Sequence, residues 1–200
     1  MKQIGYFLLS LFLTGSACTA YQPDPVDGSE DPVFVANFTT DSTNAYQAGV
    51  NDLYLFTRVE RPSEILVMSG SFAKVKCQDD DCPGNLKFEF WNDNFEDFVS
   101  APDSLFRPRL WPIKDFQSNG LRKAAIQWTD SKGRVFRSDW YEGFQDSTYV
   151  VITASEPWEL NERGDKTWKL DIQFFCFMMD SLQTTEERIN GSAVIAVAYR

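Results

Sequence analysis

Apolar and polar residues alternate along much of the chain with the two-residue period of β-strands. Residues 86–91 read Leu-Lys-Phe-Glu-Phe-Trp, an alternation that places one face in a core and the other toward solvent. Similar runs rich in Val, Ile, Leu, Phe and Tyr recur elsewhere. The other predicted strands cover residues 33–38, 52–59, 64–75, 121–129, 134–140 and 148–155, with a short strand ending at Ile189 and another over 192–199.

Residues 167–179 are the most apolar stretch, and we predict that they form the central strand of the fold. One face is apolar throughout and consists of Leu170, Ile172, Phe174, Cys176 and Met178. The other face is polar at first and becomes apolar from Phe175 onward. This pattern is typical of a strand whose first half is covered on one side and whose second half is covered on both.

Turn-forming dipeptides lie between the predicted strands. Asn119-Gly120, Lys132-Gly133 and Asn190-Gly191 stand beside apolar alternation and supply the positive φ of tight turns. A further turn is expected at 161–165. About nine or ten short strands, without a convincing helical period, predict an all-β fold over residues 33–200. We expect a single antiparallel two-sheet β-sandwich, Ig-like or jelly-roll-like.

Residues 1–17 have the pattern of a secretory signal peptide. Lys2 precedes an apolar run over 4–13, and small residues follow at 15–17; the run is too short for a permanent membrane span. Because Cys18 comes next, the segment resembles a bacterial lipoprotein signal, which implies cleavage before Cys18 and its modification with acyl chains such as palmitate. Gly15 stands where that family carries leucine. Cleavage by an ordinary signal peptidase, giving a secreted protein, is the alternative.

Residues 18–32 are predicted to be a lipid-anchored, flexible tether. The segment 19–32 contains three prolines and four acidic residues, with no basic residue, a composition that does not drive collapse. At about 3.1 Å per residue, the extended segment would reach roughly 40 Å from the lipid.

The composition narrows the classes of function. Without residues 1–17 the chain has 18 basic and 29 acidic residues and a net charge of −11, which argues against nucleic acid or an anionic membrane surface as the main partner. There is no histidine, and this excludes Ser-His-Asp and Cys-His nucleophiles and histidine-ligated metals. We therefore expect neither a cofactor nor a bound metal.

The cysteines fit an oxidising compartment. Cys77 and Cys82 bracket four polar residues, and we predict a disulfide between them that contributes roughly 2 kcal/mol. A structural zinc would need four ligands, and Cys176 is the one further cysteine of the presumed folded region. Cys176 lies among aromatic residues and is expected to be a buried, inert thiol.

Residues 92–120 are long for a plain connection and unusually aromatic. Irregular segments longer than about 12 to 15 residues are usually functional or disordered, and aromatic residues disfavour disorder. The segment carries three prolines, the pair Arg107 and Arg109, and the aromatic residues Phe95, Phe98, Phe106, Trp111 and Phe116. We expect these rings either to plug one end of the fold or to form its contact surface.

The second half of the chain shares its order of motifs with a group of exported proteins. Residues 128–138 read Trp-Thr-Asp-Ser-Lys-Gly-Arg-Val-Phe-Arg-Ser, and Phe174-Phe175-Cys176 and Ile189-Asn190-Gly191 follow. This order resembles small lipoproteins of Bacteroidota-type bacteria. The resemblance implies a β-sandwich at the bacterial outer membrane, facing the periplasm or the cell surface, and it assigns no catalytic residues.

Tryptophan and arginine side chains are the candidate ligand contacts. They are Trp91, Arg107, Arg109, Trp111 and Trp140. Together with Trp158, the three tryptophans would offer a stacking platform for sugars, although packing in the core is the commoner use of such residues.

Acidic residues offer two further hypotheses. A pair of carboxylates for glycoside hydrolysis could come from Glu89, Asp139, Glu142 or Glu156, but chance pairs are frequent in so acidic a chain. Residues 79–81 are three consecutive aspartates, which would suit Ca²⁺; a solvated acidic loop is the simpler interpretation because no EF-hand spacing accompanies them.

These observations favour a non-enzymatic, lipid-anchored envelope protein with a binding role, in which 92–120 is the expected contact surface. A glycan-binding accessory lipoprotein that uses exposed tryptophans is the alternative. Hydrolysis of a glycoside is a third hypothesis, and it requires two close carboxylates in a cleft.

Overall fold

The structure, a computed structural model, describes residues 33–42, 46–48, 53–62, 65–74, 82–92, 102–113, 122–143 and 147–199. The predicted signal peptide, the tether with Cys18, Cys77 and the aspartates 79–81 lie outside these residues. Lipidation, the disulfide to Cys82 and the calcium hypothesis therefore stay predictions.

Strands account for 65% of the structure and helices for 6%, which confirms the all-β class. The strands are β1 (Val35–Thr40), β2 (Tyr46–Ala48), β3 (Leu53–Glu60), β4 (Leu66–Lys74), β5 (Leu86–Asn92), β6 (Arg109–Trp111), β7 (Arg122–Thr129), β8 (Val135–Arg137), β9 (Tyr149–Trp158), β10 (Thr167–Asp180) and β11 (Glu186–Ala198). One short helix, α1 (Pro102–Phe106), and a 3-10 turn (Ser138–Trp140) complete the elements of the described part.

Antiparallel ladders join all eleven described strands into one sheet. Its main path runs β2-β1-β11-β10-β8-β7-β5-β4-β3, and β6 joins it through β9, which pairs with β10. Along one edge, β10 pairs with β11 from Thr167 to Met179. Along the other edge, β10 pairs first with β9 and then, at Met179 and Asp180, with β8. The long strand β10 therefore holds the two halves of the sheet together.

The sheet is continuous and curls into a half-barrel, so the expected division into two sheets is not confirmed. The continuity depends on β8, which pairs with β7 at three positions and with β10 at two. Alternation within one strand places its residues on two faces, but it does not specify which strands lie beside it. A sandwich and a curled sheet therefore give the same local pattern.

The apolar face of β10 lies in the core, as the sequence predicts. Leu170, Phe174, Cys176 and Met178 are fully buried, and Phe174 meets Phe88 of β5 edge to face, with ring centroids 5.0 Å apart. Burial of each such side chain stabilises the fold by about 1.5 to 3 kcal/mol. The burial of Cys176 confirms its predicted place in the core, and this burial raises the pKa of its thiol, as is typical of unreactive cysteines.

The half-barrel narrows where β4 approaches β11. A Cβ atom at Gly70 of β4 would clash with the carbonyl oxygen of Ala196 of β11, so the absence of a side chain at residue 70 lets the two backbones meet. Nearby, the side-chain amide of Asn161 donates to the hydroxyl of Thr57 on β3 at 3.1 Å. These contacts join β4 to β11, and β3 to the turn between β9 and β10, without a β-ladder between them.

Of the four predicted turns, two are confirmed, one is wrong, and Asn119-Gly120 lies outside the described residues. Gly133 has a φ of 80° in the turn between β7 and β8, and a turn lies at 161–165. Asn190-Gly191, however, lies within the continuous strand β11, and the hairpin turn is at 181–185, where the carboxylate of Asp180 accepts the backbone N–H of Thr184. At Gly191 a Cβ would clash with β1, so close packing explains this glycine.

Candidate functional site

The face of β5 that was expected to point to solvent is covered by a charged network. Glu89 is only 6% exposed although it alternates with the core residues of its strand. The cause is Arg137 of β8, whose guanidinium reaches across the sheet to the Glu89 carboxylate at 3.0 Å. The prediction of a solvent-facing side of β5 is therefore wrong at Glu89.

Arg137 is the centre of this network. Its Nη1 donates to Oε1 of Gln127 on β7 at 2.7 Å, and its Nε donates to Oδ1 of Asp139 at 2.8 Å. Lys87 approaches the other oxygen of Glu89 at 2.9 Å. The side chains of β5, β7 and β8 are thereby joined on the outer face, which is the face opposite the core.

The network favours the charged forms of Glu89 and Arg137. Burial acts to raise the pKa of Glu89, but the charges and hydrogen bonds of Arg137 and Lys87 outweigh it and leave that pKa below its ordinary value. Burial acts to lower the pKa of Arg137, and the carboxylates of Asp139 and Glu89 raise it overall. A general acid for glycoside hydrolysis needs a raised carboxyl pKa, and Glu89 has the opposite shift.

The other predicted carboxylates lie apart from Glu89 and Asp139. Glu156 of β9 pairs with Lys169 at 3.0 Å, and Glu142 is exposed after the 3-10 turn. Of the four candidates, only Glu89 and Asp139 are brought together, and both bind the same arginine. This arrangement is that of a structural ion network.

The network also unites two of the predicted ligand contacts. The indole N–H of Trp91 donates to Glu89 at 3.3 Å, and the guanidinium of Arg137 lies 5.7 Å from the ring centroid of Trp140. Both tryptophans are half-buried.

The remaining members of the tryptophan platform lie elsewhere. Trp111 is 1% exposed and packs edge to face on Phe90, so the structure places this ring in the core and not on the surface. Trp158 has the ammonium of Lys169 4.8 Å from its ring centroid. The four tryptophans therefore do not form one stacking surface.

A row of half-buried aromatic rings runs along the outer face of β10. We call Tyr141, Phe177, Phe175 and Tyr149 the aromatic strip. Tyr141 stacks on Phe177 at 5.4 Å, Phe177 meets Phe175 at 5.6 Å, and Phe175 meets Tyr149 at 6.4 Å. The apolar residues on this second face were noted in the sequence, but the two tyrosines come from separate segments and only the fold brings them there.

A shallow depression of about 320 Å³ adjoins the aromatic strip. It is lined by Thr39, Thr40, Asp41, Phe175, Arg188 and Asn190. Within it, Nη2 of Arg188 lies 2.6 Å from the carboxylate of Asp41, and the hydrogen bond from Arg188 is the main reason that the pKa of Asp41 is lowered. One aromatic ring and several polar groups thus border the same space.

The described part of 92–120 plugs one end of the half-barrel. Phe106 of α1 is fully buried and stacks on Trp168 at 5.7 Å, while β6 pairs with β9. This supports the plugging alternative for Phe106 and Trp111; the other three aromatic residues of the segment lie outside the described residues. Arg107 is exposed and Arg109 is half-buried at this end.

Comparison of the chain with protein-family models, with curated proteins and with solved structures finds no match. In the part of the chain that the structure describes, no helix has the length and apolar character to cross a membrane. Among the same residues, no three Cys, Asp or Glu side chains are grouped as metal ligands would be.

Proposed function

We propose that the protein is an exported, lipid-anchored binding protein of the bacterial envelope that contacts a protein partner through the aromatic strip. The observation that carries the proposal is the row of four half-buried rings on the outer face of the sheet. We therefore propose the contact surface on β10 and its neighbours and not on 92–120, because the described aromatic residues of 92–120 are buried.

The chemistry of the strip suits a protein interface. Aromatic residues are enriched in such interfaces because they bury a large area and lose little conformational entropy. Burial and the charge of Glu186 raise the pKa of Tyr141, so its phenol stays neutral at physiological pH. The ion pair of Arg188 and Asp41 lies beside the strip and would form part of a polar rim.

The anchor and the tether complete the proposal. Acylation at Cys18 would fix the chain to the membrane, since each buried CH₂ contributes about 0.8 kcal/mol. The extended tether would place the sheet up to roughly 40 Å away, within reach of a partner in the same envelope. Secretion without a lipid remains the alternative for the location.

A photo-crosslinking amino acid placed at Phe177 in living cells tests the contact. We expect crosslinks to a defined protein from residue 177 and none from residue 160. Leu160 is also apolar and is 64% exposed, but it lies in the connection between β9 and β10, away from the aromatic strip. The purified partner should then bind Phe177→Ser at least about tenfold more weakly than wild type or Leu160→Ser. Equal crosslinking at both positions, or none, would contradict the proposal.

The depression beside the strip supports glycan binding as a second candidate. An aromatic ring next to hydroxyl, amide and charged groups offers both stacking and hydrogen bonds to a sugar, and Phe175, Thr39 and Asn190 provide these groups here. A glycan array probed with wild type and with Asn190→Ala separates the candidates. Binding that is lost in Asn190→Ala favours the sugar, whereas a protein partner gives no array signal.

A further inference from the structure

Three arginines converge at the plugged end of the half-barrel. Arg107 follows α1, Arg109 begins β6, and Arg122 begins β7. The backbone brings the two strands together, because Ile113 bridges Ala124 in parallel and the N–H of Ala124 donates to the carbonyl of Pro112 at 2.8 Å.

Arg109 and Arg122 point to the same side of the sheet. Arg109 pairs with Ile152 and Arg122 pairs with Asn92 in the sheet. Both of these partners are fully buried. Residues directly opposite one another on neighbouring strands share a face. Both arginines therefore point to the core side at the rim, where solvent still reaches part of each residue.

The three cations lack the carboxylate partners that four other described arginines have. Among the described residues no carboxylate pairs with Arg107, Arg109 or Arg122; the guanidinium of Arg109 donates to the carbonyl of Ser104 instead. The contrast is with Arg58, Arg134, Arg137 and Arg188, each of which holds a carboxylate at 2.8 Å or less.

Arg109 also has an unused donor. Its Nε is buried and has no hydrogen-bond partner, although buried polar groups in proteins are almost always paired. Burial, followed by the charges of Arg122 and Arg107, lowers the pKa of Arg109, so the three cations repel one another. None of the carboxylates of the described residues lies against this arginine cluster, although the chain has 29 acidic residues.

We propose that Arg107, Arg109 and Arg122 form a binding site for an oxyanion, the carboxylate, sulfate or phosphate group of a small ligand. The planar fork of a guanidinium matches two oxygens of such a group. The anion would relieve the repulsion between the arginines and would bring an oxygen acceptor to the rim where Arg109 is short of one. The site is separate from the aromatic strip and does not depend on the function proposed for it.

The source of the oxyanion is either an inorganic ion or an acidic sugar. Calorimetric titration of the mature chain with sulfate, phosphate, glucuronate and glucose distinguishes them. We expect binding of the anions, weakened by added NaCl because part of the attraction is screened, and no binding of neutral glucose. Tighter binding of glucuronate than of sulfate and phosphate assigns the site to an acidic sugar, and the reverse order assigns it to the free ion.

Substitutions decide whether these arginines form the site. Arg107→Gln and Arg122→Gln should each weaken anion binding by about tenfold or more, since each removes a charge-assisted hydrogen-bond donor. The matched control is Arg163→Gln, which removes the same charge from the exposed turn at 161–165 and should bind like wild type. Arg109→Lys keeps the charge but loses the planar fork, and it should also bind more weakly.

A second measurement, the change in melting temperature on addition of sulfate, tests the site even if one variant is less stable. Sulfate should raise the melting temperature of wild type and of Arg163→Gln, but not that of Arg107→Gln, whose exposed side chain can be replaced without disturbing the core. The proposal is overturned if wild type binds no anion in either measurement, or if Arg107→Gln and Arg122→Gln bind as well as Arg163→Gln.

Discussion

Arg137 on β8 and Glu89 on β5 form a 3.0 Å ion pair across the intervening strand β7, although 48 residues separate them in the chain. Their side chains are 15% and 8% exposed. The pair joins three strands by side chains on the face opposite the core, in addition to their backbone ladders. A buried charge whose partner is removed is costly, so this pair should matter for stability.

Replacement of Arg137 by methionine should destabilise the fold by about 3 to 5 kcal/mol, because Glu89 and Asp139 lose their common partner. Urea unfolding measures the change. Arg58→Met is the matched control, since the Arg58–Glu60 pair is exposed and should contribute less than about 1 kcal/mol. The double variant Glu89→Leu/Arg137→Met should recover much of the loss. Equal effects of Arg58→Met and Arg137→Met would contradict a buried network.

Stability should fall in acid partly through Glu89. Its pKa is lowered in the folded state from an ordinary value of 4.5, so the folded protein binds the proton less readily than the unfolded chain does. The stabilisation is present above pH 4.5 and is lost as the pH falls through the folded pKa. The difference in unfolding free energy between wild type and Glu89→Gln should therefore shrink below pH 4.5. A difference that stays constant with pH would argue that Glu89 is not the ionised partner of Arg137.

The close approach of β4 and β11 predicts that Gly70→Ala is destabilising. The added methyl group would clash with the backbone of Ala196, which is not free to move aside as a side chain is. We expect a loss of about 1 to 3 kcal/mol in urea unfolding, as for other overpacked sites. Ser71→Ala, the neighbouring residue on the opposite face, serves as the control and should change stability by roughly 0.5 kcal/mol at most. Unchanged stability in Gly70→Ala would contradict the close approach of the β4 and β11 backbones.

The lipid anchor can be checked independently of the fold. Metabolic labelling with a fatty-acid analogue should mark the wild type and leave Cys18→Ala unlabelled, because the thiol and the new amino group at residue 18 are the predicted acylation sites. Cys176→Ala is the control: its thiol is buried, and label should remain. Equal label in wild type and Cys18→Ala would exclude the anchor and favour secretion.

The local alternation of the sequence was sufficient to predict individual strands. The two-residue period of 86–91 predicts β5 and its core face, and the apolar face of 167–179 predicts β10. This is possible because a strand with one buried face has apolar residues at alternate positions. Whether the strands form one sheet or two could not be predicted in this way. It depends on β8 pairing with both β7 and β10, and no local pattern encodes the neighbour of a strand.

The candidate sites were harder to predict than the strands, because pairing between distant segments brings their residues together. Glu89 was expected to face solvent because nothing near it in the chain indicates that Arg137 covers it. The position of Arg107 and Arg109 in an aromatic loop indicates a site in the sequence. No such signal marks Arg122, because only the bridge between Ile113 and Ala124 places it beside them. Asn190-Gly191 was assigned to a turn from its composition, and that assignment failed because close packing against β1 also selects glycine.

The pairing of Val35 with Val194 has a consequence for biogenesis. During synthesis, β1 emerges together with its neighbour β2 but long before its other partner β11, so the edge of β1 that faces β11 stays unpaired until almost all of the described chain has been made. Contacts so distant in sequence form slowly, and we expect the emerging polypeptide to remain open long enough to be threaded through a translocation channel. If the protein is exported as we propose, the sheet would close only on the far side of the membrane.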